Sequence, residues 1–181
     1  TNTNATFLQN INVGVAITAG KLGIGFTDNN IKVGNTALDS LTTGTNNTAV
    51  GDAALTANTT GTKNTAVGSL ALDANTTGAE NTAVGQQSLT ANTTASNNTA
   101  IGYYSLASNT TGTHNTAVGH SALDACSTGN RNTAVGYEAA TAVTTAADVD
   151  AFGAYALNSN TTGTRNVALG RSALQSNTTT S

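Results

Sequence analysis

The sequence predicts an all-β fold, a parallel β-solenoid of seventeen-residue coils, and three observations carry that prediction. Gly34, Gly51, Gly68, Gly85, Gly102, Gly119, Gly136, Gly153 and Gly170 follow one another in steps of seventeen, with no residue inserted or deleted between them. A period held that strictly marks identical structural turns stacked on one another, because ordinary loops tolerate insertion. The copies are too short for a helical hairpin repeat, and most carry a second glycine, so their extended stretches are expected to be strands. Val and Leu also recur at fixed phases, which separates this Asn- and Thr-rich composition from disordered low-complexity sequence.

Residues 1–29 precede the clean repeat. Phe7, Ile11, Val13, Val15 and Ile17 alternate with polar or small residues, and Leu22, Ile24 and Phe26 follow a turn at Thr18-Ala19-Gly20-Lys21. This pattern predicts a β-hairpin that caps the first coil or docks onto a neighbouring domain or chain, since a naked solenoid end offers unpaired backbone to any passing strand.

Residues 30–181 form a predicted shaft of nine repeats with the consensus N-T-A-V-G-x-x-A-L-x-x-N-T-T-G-x-x. Stacking places each residue about 4.8 Å from its equivalent in the next copy, so the repeat reads as vertical columns. One column, containing Val50, Val67, Val84, Ile101, Val118 and Val135, is expected to be a buried apolar row. A second, containing Leu55, Leu72, Leu89, Leu106 and Leu123, is broken only at Ala140, and the position before it is always Ala or Ser. Asn47, Asn64, Asn81, Asn98, Asn115, Asn132 and Asn166 make a third column, and Asn58, Asn75, Asn92, Asn109, Asn160 and Asn177 a fourth. These are expected to form amide ladders that satisfy backbone groups at the corners. The column of Lys63, Glu80, His114, Arg131, Asp148 and Arg165 must face water, with opposite charges one rung apart at Lys63/Glu80 and around Asp148. The copy around residues 143–153 departs from the consensus at Val143, Ala146, Val149, Asp150 and Phe152, and a slight bulge is expected to accommodate Phe152. Cys126 stands in an Asn-column position and is expected to be a small corner residue.

Each copy brings only two large apolar side chains, too little to order seventeen residues unaided. A further buried face is therefore expected, most plausibly between three copies around an axis, lined by the Ala-rich or the Val row.

The run Asn-Thr-Ala-Val-Gly, followed by small residues and Leu, resembles the head repeats of YadA-like trimeric autotransporter adhesins. It is similar also to the repeats of phage-type tail-fibre proteins that carry a C-terminal self-cleaving chaperone. The resemblance covers about residues 30–181. It implies a left-handed β-roll that trimerises. The seventeen-residue period is longer than those heads usually show, and Thr replaces the first apolar residue of their motif. No catalytic residue is carried over.

Composition narrows the function. The 181 residues include six Lys and Arg, nine Asp and Glu, two His, one Cys and no Pro, Met or Trp, for a formal net charge of -3. So few basic residues, so scattered, cannot track a phosphate backbone, so no nucleic-acid partner is expected. No run of eighteen apolar residues occurs, so no membrane-spanning helix is predicted. The single cysteine excludes an intrachain disulfide framework. The absence of an initiating Met, and an end at Ser181 part-way through a coil, predict that the chain belongs to a longer product.

Tyr103, His120 and Tyr137 follow three successive glycines and are expected to stack on one face, with Tyr104 and Tyr155 in the adjoining column. Rings on a rigid polar surface can stack on sugars, which makes this the one candidate ligand site, for a cell-surface glycan or receptor. Covering the strand face or packing between chains is the alternative. His114 and His120 lack the further ligands a metal site needs, and no cofactor is expected. Two histidines and few carboxylates assemble no nucleophile, base and orienter, so an enzyme is not expected. The chain reads as a structural fibre shaft or adhesin head, displayed outside a cell or on a phage-like particle and mediating attachment. A self-polymerising secreted filament is the alternative, and ice binding by the column Thr48, Thr65, Thr82, Thr99, Thr116 and Thr133 is a weaker one.

Overall fold

Seventeen residues cannot satisfy their own backbone in a closed turn, so the N–H and C=O groups of each copy must find partners on the copies above and below. The computed structural model describes residues 25–26 and 29–181. Among them, ten strands form one sheet in sequence order: β1 (Gly25–Phe26), β2 (Asn30–Val33), β3 (Thr48–Val50), β4 (Thr65–Val67), β5 (Thr82–Val84), β6 (Thr99–Ile101), β7 (Thr116–Val118), β8 (Thr133–Val135), β9 (Asp150–Phe152) and β10 (Val167–Leu169). From β2 to β10 all neighbours are parallel and keep one register, as in Thr65 beside Thr82, Ala66 beside Ala83 and Val67 beside Val84. The described chain is a parallel β-solenoid, and no helix occurs in it. β1 lies antiparallel on the free edge of β2, with Gly25 opposite Ile31 and Phe26 opposite Asn30. Residues 1–24 and 27–28 of the predicted hairpin fall outside the described residues.

Strands account for three residues of a coil, and the remainder is also bonded from rung to rung. Gly68 N donates to Val50 O at 2.8 Å and Leu70 N to Asp52 O at 2.9 Å, toward the preceding coil. Leu72 N donates to Ser88 O at 3.0 Å and Thr76 N to Thr93 O at 2.8 Å, toward the following one. Each coil therefore holds both neighbours, and its order depends on theirs.

That bonding requires an unusual backbone. Leu70, Leu72 and Glu80 adopt φ values of 58°, 51° and 60°, and their equivalents do the same in every full coil. A left-handed conformation costs a non-glycine residue about 1–2 kcal/mol. Here it turns each N–H along the fibre axis: Leu70 toward Asp52, Leu72 toward Ser88, Glu80 toward the Thr62 carbonyl at 3.0 Å. The column Asn46, Lys63, Glu80, Asn97 and His114 shares this geometry, and Asn tolerates it best.

The core is narrower than the sequence suggests. The Leu row is fully buried at Leu55, Leu72, Leu89, Leu106, Leu123 and Leu157, and Ala140 fills its one gap. Facing it from the strands are Ala49, Ala66, Ala83, Ala100, Ala117 and Ala134, also fully buried. The expected burial of Val50, Val67, Val84, Ile101, Val118 and Val135 is overturned. These residues lie on the outer face of their strands, partly covered by neighbouring rungs, and Ile101 is 40% exposed. The cause is strand parity: with Asn64 and Ala66 turned inward, Thr65 and Val67 must point outward. The Ala row is thereby removed as a face that could meet another chain, and the Val row remains. The bulge expected at Phe152 is absent. Val135 pairs with Phe152 and Phe152 with Leu169 in unbroken register, and the ring takes the outer Val position.

The recurrent glycine at the end of each strand is fixed by two demands. Gly85 has φ 136°, and a Cβ there would stand 2.6 Å from the Gly102 carbonyl carbon one rung on. Gly85→Ala is expected to destabilise the chain by about 2–4 kcal/mol, combining backbone strain and steric conflict. Ser69→Ala, at an adjoining surface position, should stay within about 0.5 kcal/mol. Denaturant midpoints of the two variants check the contrast.

Candidate functional site

The Asn columns are buried and do two different jobs. In the first, each amide is tied to backbone. Asn64 Oδ1 accepts from Asn81 N at 3.0 Å, and Asn64 Nδ2 donates to Gly78 O at 2.8 Å. The expected amide-to-amide contact appears in this column at Asn81 Nδ2 to Asn64 Oδ1, 3.2 Å. Asn98, Asn115 and Asn132 repeat the backbone pattern. The second column is a true amide ladder: Asn75 Nδ2 donates to Asn58 Oδ1, Asn92 to Asn75 and Asn109 to Asn92, at 2.9, 2.9 and 3.0 Å.

This ladder stops at Cys126. Asn109 Oδ1 is the one buried side-chain polar atom without a hydrogen-bond partner among the described residues, because the rung above offers sulfur where an amide would donate. Val143 and Val149 then occupy the next Asn positions, fully buried, so the interior turns apolar over these coils. Cys126 is buried as expected for a corner residue, its Sγ 3.8 Å from Gly129 O. Burial pushes its thiol up to about 11, against smaller opposing contributions from Gly129 and Asn132.

The water-facing column carries its predicted pairs. Lys63 Nζ meets Glu80 Oε1 at 2.9 Å, and Arg131 meets Asp148 through two bonds of 2.7 and 3.1 Å. The Lys63 hydrogen bond holds the Glu80 carboxyl below its ordinary range, and Arg131 does the same for Asp148. These pairs are solvent-exposed, so they mark register more than they stabilise.

The aromatic residues come together as the sequence predicts. Ring centroids of Tyr103 and His120 lie 5.1 Å apart, as do those of His120 and Tyr137, the latter pair stacked at 24°. Tyr104 meets Tyr103 edge-on at 4.5 Å, and Tyr155 meets Tyr137 edge-on at 5.4 Å. Near-parallel rings at this spacing must stand one behind another, since side by side they would collide. The rings turn one face each toward the middle of the column, His120 both, and Tyr103 stays 44% and Tyr137 45% exposed. Polar chemistry borders it. Tyr137 hydrogen bonds to Glu138, which with the charge there raises its phenol, and burial raises the Asp124 carboxyl while His120 opposes that shift.

A further surface feature was not visible as such in the sequence: the outer strand face. It presents two columns, Thr48 through Thr133 and the Val row, side by side over successive rungs. The parity of Asn and Ala around them is the signal that finds it. The Thr column considered for ice is therefore paired with aliphatic side chains instead of a second Thr column. In the Asn-Thr-Thr corners the first hydroxyl is occupied, as Thr59 Oγ1 donates to Thr76 O and Thr76 Oγ1 to Thr93 O, both at 3.0 Å. Among the described residues, no three His, Cys, Asp or Glu side chains lie close enough to hold a metal ion. No family model, curated protein or solved structure matches this chain.

Two outcomes follow from the buried columns. Asn81→Ala leaves Asn98 N unpaired in a dry interior and takes one of two amide donors from Ala95 O, and should cost about 2–3 kcal/mol, read as a lowered denaturant midpoint. For Cys126, the folded thiol titrates higher than an unfolded one, so the folded state binds the proton more tightly. Its contribution is thus neutral below about pH 8.5, and stability falls as pH rises from there toward 11. Iodoacetamide at pH 8 should label the unfolded chain and leave the folded one unmodified by mass.

Proposed function

We propose that this chain is the shaft of a rigid, homotrimeric fibre or adhesin head, displayed outside a cell or on a phage-like particle, where it mediates attachment. The observation that carries the reading is the outer Thr and Val face. It runs without a break in register from β2 to β10 and includes the exposed Ile31, Val33, Ile101, Phe152 and Leu169. Nine rungs at about 4.8 Å give a strip about 40 Å long and about 10 Å wide, on the order of 400 Å² of largely apolar surface. A continuous aliphatic row of that length on so polar a protein suits an association surface. Around a threefold axis each copy would turn this strip toward two neighbours, burying it in the form of a second core outside the first.

Stiffness supports the same reading. Every full coil is bonded upward and downward through strand and corner backbone, so the rod has no internal joint of the kind a moving part needs. Lys63, Glu80, Arg131 and Asp148 are engaged in ion pairs along the rod, an arrangement suited to a scaffold.

Native mass spectrometry tests the proposal. A complex of three 17.9 kDa chains is expected. A persistent monomer at micromolar concentration contradicts it, and filaments of indefinite length in electron micrographs would favour the self-polymerising alternative. Val84→Asp with Val118→Asp should yield folded monomers, since both side chains point outward and leave the Leu and Asn interior untouched.

A further inference from the structure

The strand face has two unlike borders. On one side each strand is entered through the left-handed column, with φ 61° at His114, 56° at Arg131 and 59° at Asp148. On the other it leaves through Gly102, Gly119 and Gly136, followed at once by Tyr103, His120 and Tyr137. We infer that these borders meet between copies, the aromatic edge of one chain lying along the His114, Arg131 and Asp148 edge of the next. The inference rests on the trimer proposed above and names its contact.

Symmetry supplies the first step. A threefold axis never carries a surface onto itself, so the contact is heterologous and one border of each copy must face the other border of its neighbour. With the axis along the rod, equivalent coils stay at equal height. Arg131 and Tyr137 enter and leave the same strand, β8, and so face each other across the seam within about one rung. The same holds for His114 and His120 around β7.

Chemistry supplies the second. Tyr103 and Tyr137 stay nearly half exposed, and the edges of the stacked rings suit a polar partner better than another apolar face. Arg131 uses Nε and one terminal nitrogen on Asp148, which leaves the far edge of the guanidinium to donate. An antiparallel, face-to-face twofold pairing would instead bring each border against its own kind.

Oxidative cross-linking reads the seam directly. Within one chain positions 131 and 137 are separated by the whole of β8 and both its bends, about 15–20 Å along the backbone, beyond the reach of a disulfide. Arg131→Cys and Tyr137→Cys chains, refolded together and confirmed as trimers by native mass, should give disulfide-linked dimers on oxidation, while neither variant alone gives any. His114→Cys with His120→Cys repeats the test one rung lower if the first pair fails to assemble. The buried Cys126 makes the unsubstituted chain the control. Cross-linking of either variant with itself, or trimers in which neither mixed pair cross-links, overturns the seam and leaves the trimer standing. A monomeric parent chain overturns both.

Discussion

The structure depends on one constraint: every seventeenth residue must sit on its equivalent closely enough for a hydrogen bond. The left-handed residues show what that demand costs. Leu72 and Glu80 hold backbone conformations that non-glycine residues avoid, and they do so because only there do their N–H groups point along the axis to Ser88 and Thr62. A single coil would relax out of these conformations. Stacked coils cannot, because relaxing one leaves buried groups unpaired on two others. Strain and registry are therefore properties of the array, and the fixed length of the repeat follows: one inserted residue would move every axial donor away from its acceptor.

The same geometry explains how so polar a sequence folds. The interior is a strip of Leu against Ala, flanked by amides whose hydrogen bonds are nearly all made within the rod. Asn109 shows the weak point of such a ladder, since each amide depends on the rung above for a donor. Replacing Cys126 by Asn would satisfy Asn109 Oδ1 and pass the same vacancy to the new amide beneath Val143. The apolar stretch at Cys126, Val143 and Val149 is better regarded as a changeover from amide to aliphatic packing than as a single defect. Stacked rings and the Arg131–Asp148 pair run along the outside of these same coils.

Much of this was legible from column arithmetic alone. Leu72 and Asn81 sit in the interior because their columns are uniform, and uniformity under strict stacking means a shared environment. Lys63 over Glu80 and the Tyr103–His120–Tyr137 stack followed from the same spacing. Val67 was misread because size was allowed to outrank parity: the inward positions before it are Asn64 and Ala66, and a strand cannot turn the adjacent Ala66 and Val67 the same way. Phe152 was misread for the same reason, since a large ring needs no bulge on an outer face. The left-handed Leu residues had no signal in composition, because Leu is a poor choice for that conformation and only the axial hydrogen bond demands it. The aromatic column stacks where its spacing places it, with Tyr104 and Tyr155 joining it edge-on.

The chain is a rod with a buried Leu strip and, on its outer strand face, an aliphatic strip. Spin labels on the exposed Thr column test the stacking beneath all of this most directly. With Thr60→Cys paired in turn with Thr111→Cys, Thr145→Cys and Thr162→Cys, diluted into unlabelled chain so that only distances within one chain are read, three, five and six rungs separate the labels. Pulsed electron resonance should give separations rising in proportion to rung number, by about 4.8 Å each. Separations that do not grow in that proportion would show that successive copies do not lie on one another, and the account would fall with them.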